Sequence, residues 1–153
     1  PVLDTFVLKE TTGKTTDGVE AVIKGYKPDI VVLDMGDKFA ARTRDKSAGE
    51  LKDAAIHARN IAKQYGCAIF YMSQLSASAQ NVVNVDQSML EGSKTGKAAE
   101  TDLMILISMN RVDYDSGDKD PERHLIISKN KLQGGWHGRI TVELDGDTAR
   151  YSA

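Results

Sequence analysis

Four short runs in this chain are almost wholly apolar: Ile30 to Leu33, Cys67 to Met72, Leu103 to Ser108 and Leu125 to Ser128. An apolar run without alternation marks a strand covered on both faces, as in a central parallel sheet. All four are far shorter than the roughly 20 residues of a membrane span, so they must be buried by folding. The chain has the means to do it. Hydrophobic residues make up 41% of its 153 residues, too many for disorder and about right for one domain. No internal repeat or linker divides it, so residues 1–153 read as a single unit.

Helices alternate with the runs. Asp17 followed by Glu20 has the spacing of a helix start, and Val19, Val22, Ile23 and Tyr26 follow at helical intervals. Lys27-Pro28 ends that helix, because the residue before a proline avoids helical angles. Residues 35 to 46 read as a charged loop. Ser47 and Glu50 form a capping box, and Leu51, Ala54, Ala55, Ala58, Ile61, Ala62 and Tyr65 make one apolar stripe up to a C-terminal Gly66. A strand is also expected over Val2 to Leu8. Residues 75 to 100, rich in Ser, Asn, Gly and Lys, read as a long connection, and such connections are functional or mobile. Residues 111 to 122 read as an exposed loop. Ile140 to Leu144 and Thr148 to Tyr151 flank Asp145-Gly146-Asp147 as a terminal hairpin. Strands alternating with helices predict an α/β fold with a mainly parallel central sheet and mixed edges.

In open α/β sheets, ligands bind beyond the carboxyl ends of the strands. Asp34, Gln74 and Lys129 stand at three such ends. Four apolar residues followed by Asp resemble a Walker B strand, whose carboxylate holds a Mg²⁺ shell beside nucleotide phosphates; the plain alternative is a loop cap. An amide just past the neighbouring strand, Gln74, suits sensing a γ-phosphate or orienting water; the alternative is an exposed loop residue. Lys129 and Lys131 point the same way in extended geometry and suit phosphate neutralisation, or else form a solvated strand end. Two near-matches to the phosphate-binding P-loop fail. Gly13-Lys14-Thr15 lacks the earlier glycine, since Leu8 stands there. Gly96-Lys97 has Glu91 at that position and Ala98 where Ser or Thr is required. His57 reads as solvated, Cys67 as a core residue and Trp136 as a packing residue. The histidines are scattered, and no metal-ligand cluster stands out. The net charge of −2 excludes a strongly basic nucleic-acid coat but not a local basic patch. A single cysteine leaves no intrachain disulfide and makes a reducing compartment the default.

Several segments in order resemble the RecA-like ATPase core of DnaB-type replicative helicases, with the phage ring helicases the nearest flavour. They are Lys27 to Asp34, Ala68 to Gln74, Leu90 to Lys94 through Ala99 to Asp102, and Leu125 to Lys131 with Gly134 and Gly138. The resemblance implies a RecA-like three-layer sandwich with a C-terminal β-hairpin. It implies ATP and Mg²⁺ as cofactors, with Asp34 as the Walker B aspartate acting on the metal through water. It implies Gln74 as the γ-phosphate sensor, and Lys129 and Lys131 reaching across a subunit interface to the neighbour's ATP. Lys131 stands where the family usually has arginine, a point charge in place of a bidentate fork. The 75–100 connection corresponds to loops facing single-stranded DNA in a hexameric ring, with Lys94 and Lys97 as candidates for phosphate contacts. Lys94 and Lys97 read alternatively as residues of a solvated loop. The family's Walker A loop and catalytic glutamate come before the segment near Val2. The resemblance thus covers the later part of a core, Pro1 reads as a cut point, and the isolated chain is expected to be inactive as an ATPase. A cytoplasmic bacterial or phage-infected setting follows.

Two other readings stay open. Lys27 to Asp34 also resembles the phosphoacceptor strand of response regulators, with Asp4, Ser73 and Lys129 completing the site. Against it, Ser73 and Lys129 lie 56 residues apart and the first acidic pair is a lone Asp4. A RecA- or RadA-type recombinase, or a non-hydrolysing DNA-binding relative, shares the fold.

Overall fold

The computed structural model describes residues 6–11, 15–40, 48–92, 94–109, 120–132 and 134–153. Two sheets and three helices make up the described chain. Helix α1 (Thr16–Tyr26) leads to strand β1 (Ile30–Leu33), a 3-10 turn (Gly36–Ala40), helix α2 (Ala48–Tyr65) and strand β2 (Ala68–Tyr71). Two further 3-10 turns (Ala77–Ala79, Gln87–Met89) and helix α3 (Lys94–Glu100) precede strands β3 (Leu103–Met109), β4 (Glu122–Asn130), β5 (Gly138–Asp145) and β6 (Arg150–Ser152).

Strands β1 and β2 pair in parallel, Ile30 beside Ala68 and Leu33 beside Tyr71. The other four strands form an antiparallel sheet in the order β3-β4-β5-β6. The expected α/β class and C-terminal hairpin are both present. The parallel part among the described residues is confined to β1 and β2, because β3 returns antiparallel along β4, Ile107 opposite Leu125. Apolar runs of this length fix that a strand exists but not its direction; the connections decide that.

The stripe on α2 is the core helix face: Leu51, Ala54, Ala55, Ala58 and Ile61 are all buried. Small residues along it let α2 approach closely, and Ala58 and Ile61 pack with Val19 and Ile23 of α1, Leu33 and Cys67. A second cluster joins Val85, Leu90, Ala98, Met104 and Leu106. The 75–100 connection is thus anchored to the core at several points, with a seven-residue helix inside it. Its scattered Val82, Val85 and Leu90 supply the apolar anchors that its polar composition obscured.

The expectation that β1 is covered on both faces is not met among the described residues. Ile30, Val32 and Phe70 are each more than half exposed. Strand β3 alternates likewise, with Met104 and Leu106 inward and Ile105 and Ile107 outward.

Local signals met mixed fates. Helix α1 starts at Thr16 with Thr15 at the N-cap, two residues before the expected Asp17. Glu20 is drawn away to α2 instead. It accepts a 2.9 Å hydrogen bond from the Tyr65 hydroxyl, and His57 Nε2 lies 3.3 Å from its carboxylate without a hydrogen bond between them. His57 is therefore part-buried between helices, not solvated. The helix ends at Tyr26, with Lys27 in the left-handed region and its N–H on the Ile23 carbonyl. Residues 6–10 form no strand and expose Phe6 and Leu8. The Val2–Leu3 part of that expectation, Ser47 of the capping box, Gly13-Lys14 and most of the 111–122 loop lie outside the described residues.

Candidate functional site

Strands β1 and β2 lie side by side, so the residues after them share one edge. Backbone bonds extend the pairing beyond the strands: Met72 N–H to Leu33 O at 3.1 Å and Gly36 N–H to Met72 O at 2.9 Å. Asp34 and Gln74 therefore emerge at the same end of the same strand pair, both exposed. Among the described residues nothing hydrogen-bonds the Asp34 carboxylate, so its oxygens are available to metal-bound water. A hard carboxylate at a strand end fits Mg²⁺ held through water.

Gln74 is fixed through its backbone. Its carbonyl accepts from Glu91 N–H at 3.1 Å, Leu75 bridges Leu90, and Ser76 N–H reaches Met89 O at 2.7 Å. The glutamine thus stands on a short ladder between residues 74–76 and 89–91, its side chain at the surface.

Beneath it lies a polar cluster that the sequence did not announce. Asp37, in the turn after Asp34, accepts from Tyr71 hydroxyl at 3.1 Å, from Ser73 hydroxyl at 2.7 Å and from Lys97 Nζ at 2.8 Å. Lys97 also donates to Ser73 Oγ at 2.9 Å and to Glu91 O at 2.7 Å. Its side chain is only 4% exposed. Burial first, then the Asp37 charge and hydrogen bond, push the Tyr71 phenol far above its ordinary range. Lys97, expected at the surface as a phosphate contact, is in this conformation an internal ion-pair partner with its charge withheld from solvent. The cue was present but slight: Gly96 and Ala98 flank it, and both are buried, letting α3 sit against the strand ends. Lys94 begins α3; its side chain lies outside the described residues.

Lys129 and Lys131 belong to the other sheet, at the end of β4. Both turn to the C-terminal end of α3. Lys129 donates to the carbonyls of Ala98 and Ala99, and Lys131 reaches Ala99 O at 3.4 Å. Arg59 of α2 joins them, donating to Glu100 O and pairing with Asp102 at 3.1 Å. Three cations thus face the carbonyl end of one helix, where orphan acceptors and the helix dipole favour positive charge. Lost hydration, then the neighbouring Lys131, hold the Lys129 ammonium below the usual lysine range. Beside it opens a cavity of about 450 Å³ lined by Gln87, Ser88, Thr95, Ala98, Ala99 and Lys129. The structure brings Asp34 and Gln74 to one edge. It records no contact between them and the lysine pair, which sits across α3.

Cys67 is a buried core residue with its thiol pushed up by burial. Trp136 is half exposed and lies against Gly138. No cluster of three or more metal-ligating side chains occurs among the described residues, and no described helix is long and apolar enough to cross a membrane.

The receiver reading fails on topology. Receivers are doubly wound parallel sheets, whereas four of the six strands among the described residues form an antiparallel sheet; Asp4 lies outside the described residues. No protein-family model and no curated protein sequence matches the chain. Solved structures do. One, an ATPase domain, superposes with a TM-score of 0.73 at 15% identity, over 90% of this chain and 51% of that one. Another, a DnaB-like replicative helicase solved for its interactions with primase, gives 0.75 at 17% identity, over 94% of this chain and 36% of that one. The chain spans about half the length of the first and about a third of the second. Its fold is the RecA-like fold of DnaB-type helicase ATPase domains.

Proposed function

We propose that this chain is the later part of the ATPase core of a replicative ring helicase, which couples ATP hydrolysis between subunits to movement along single-stranded DNA. The observation that carries the reading is the shared edge of β1 and β2. There an available carboxylate, Asp34, and a surface amide, Gln74, stand at the ends of adjacent parallel strands in a fold held in common with helicase ATPase domains.

In this reading Asp34 holds Mg²⁺ through water, because Asp37, the nearby alternative, is already engaged by Lys97, Ser73 and Tyr71. When bound, the metal supplies charge neutralisation at the ATP phosphates. Gln74 orients water or reads the γ-phosphate. Lys129 and Lys131 serve a nucleotide held by the adjacent subunit, for which the cavity beside Lys129 gives room. Lys94, in the connection between β2 and β3, meets DNA phosphates. The parent assembles as a hexameric ring in the cytoplasm of a bacterial or phage-infected cell.

The test is ATP turnover. The isolated 153-residue chain with ATP and Mg²⁺ should show no steady hydrolysis. Sustained turnover that Asp34→Ala abolishes would overturn that expectation. In the full-length polypeptide, Asp34→Ala, Gln74→Ala and Lys129→Ala should each lower DNA-stimulated hydrolysis by about 100-fold or more. A recombinase sharing the fold is told apart by electron microscopy on single-stranded DNA, where continuous filaments in place of closed rings would favour it.

A further inference from the structure

A lysine ammonium has three N–H donors, and burying one leaves each in need of an acceptor. Lys97 meets that demand with one acceptor from each of three segments: Asp37 Oδ2 at 2.8 Å, Ser73 Oγ at 2.9 Å and Glu91 O at 2.7 Å. Asp37 lies three residues after Asp34. Ser73 is the residue before Gln74. Glu91 is the residue whose N–H holds the Gln74 carbonyl. The ammonium therefore grips the chain on both sides of the Gln74 backbone bond and ties it to the turn that follows Asp34. The helix carrying Lys97 ends where Lys129 and Lys131 dock.

We propose that Lys97 is a positioning residue: its three-way contact sets where Gln74 stands relative to Asp34, and links that placement to α3 and the connection leading into it. The proposal rests on the nucleotide-site reading of Asp34 and Gln74. Because the contact is a buried ion pair with two added hydrogen bonds, it has one well-defined geometry and little slack. A shift of α3 or of residues 89–92 has to move Ser73 and Asp37 with it, or break the contact.

The experiment has an arm that needs no activity and an arm that does. In hydrogen exchange on the chain itself, Lys97→Met should raise exchange of the Glu91 amide by about tenfold or more, while β3 and β4 amides keep their protection. Unchanged protection at Glu91 overturns the proposal. In the full-length polypeptide with ATP, Mg²⁺ and single-stranded DNA, Lys97→Met should lower kcat by about 10- to 100-fold with KM for ATP nearly unchanged. Added to Gln74→Ala it should cost nothing further, since the glutamine it positions is gone. An unchanged kcat, or an effect that multiplies with Gln74→Ala, overturns the proposal. Ser73→Ala removes one of the three acceptors and keeps the ion pair, so it serves if Lys97→Met does not fold. It should lower kcat several-fold and loosen Glu91, and silence in both measurements counts against Lys97. If Gln74→Ala by itself leaves turnover intact, the nucleotide-site reading is what fails, and the exchange arm still judges the contact.

Discussion

A buried ammonium is tolerated only while its partners remain, which makes the residues around Lys97 unequal in their consequences. Removing Asp37 strands a charge inside the protein. Asp37→Ala should cost about 3–5 kcal/mol in urea unfolding, well above an exposed pair. Lys129 is the second informative residue. Its ammonium is held low by lost hydration and then by Lys131. In an NMR titration of labelled lysine side chains it should release its proton earlier than the exposed lysines, and Lys131→Ala should move it part of the way back up. The sign follows. Between the lowered folded value and the ordinary 10.5, the unfolded chain binds more protons, so this residue's contribution to stability rises with pH there. The places of Asp34 and Gln74 at the ends of apolar runs were legible in the sequence, because a polar residue soon after such a run stands out. Lys97 was not. A lysine in a polar stretch looks the same whether it ends in water or against an aspartate 60 residues away.

Among the elements, α2 is the one whose pattern and burial agree best, and Ile61 is its most buried residue at 3% exposed. Ile61→Ala should destabilise by about 2–5 kcal/mol, read as a lower urea midpoint at unchanged slope. The turn entering α3 depends on Gly92. Its φ is +77°, and a β-carbon there would run into the Leu51 side chain. Gly92→Ala should cost roughly 1–3 kcal/mol from backbone strain, with the clash added. The β5–β6 hairpin is closed by Asp145, whose carboxylate accepts from Thr148 hydroxyl at 2.6 Å and from the Asp147 amide at 3.0 Å. These bonds, the Thr148 hydroxyl first, hold the acid below 3.8. The contribution is present above that ordinary value and is lost as pH falls through the lower folded one. Thr148→Val should raise the Asp145 titration toward 3.8 by NMR. The hairpin was legible because an Asp-Gly-Asp turn between alternating strands is a local code. Helix α3 was not, since seven residues with a central glycine carry almost no periodic signal and the helix is held by tertiary contacts.

For the molecule as a whole, the proposed role makes a prediction in salt. Binding of single-stranded DNA by the full-length assembly should weaken as salt rises, with a log–log slope of about −0.7 per phosphate neutralised. Lys94→Ala should flatten that slope by roughly one phosphate, and Lys97→Ala should not, its charge being buried. Beyond the resemblance to DnaB-type cores, what the sequence determined by itself was local: the segments that became β1 to β6, where α2 runs, and that Asp34 and Gln74 follow apolar runs. Those follow from hydrophobic periodicity and turn chemistry, which act over a few residues. Only the tertiary structure decided that β3 runs antiparallel to β4, that one face of β1 and β2 stays open among the described residues, that Lys97 lies inside, and that Lys129 and Lys131 rest on the end of α3. Each of these depends on groups distant in the chain meeting in space, from 24 to 60 residues apart for the contacts of Lys97 with Ser73 and Asp37, and no local pattern records which distant acceptor a lysine will find.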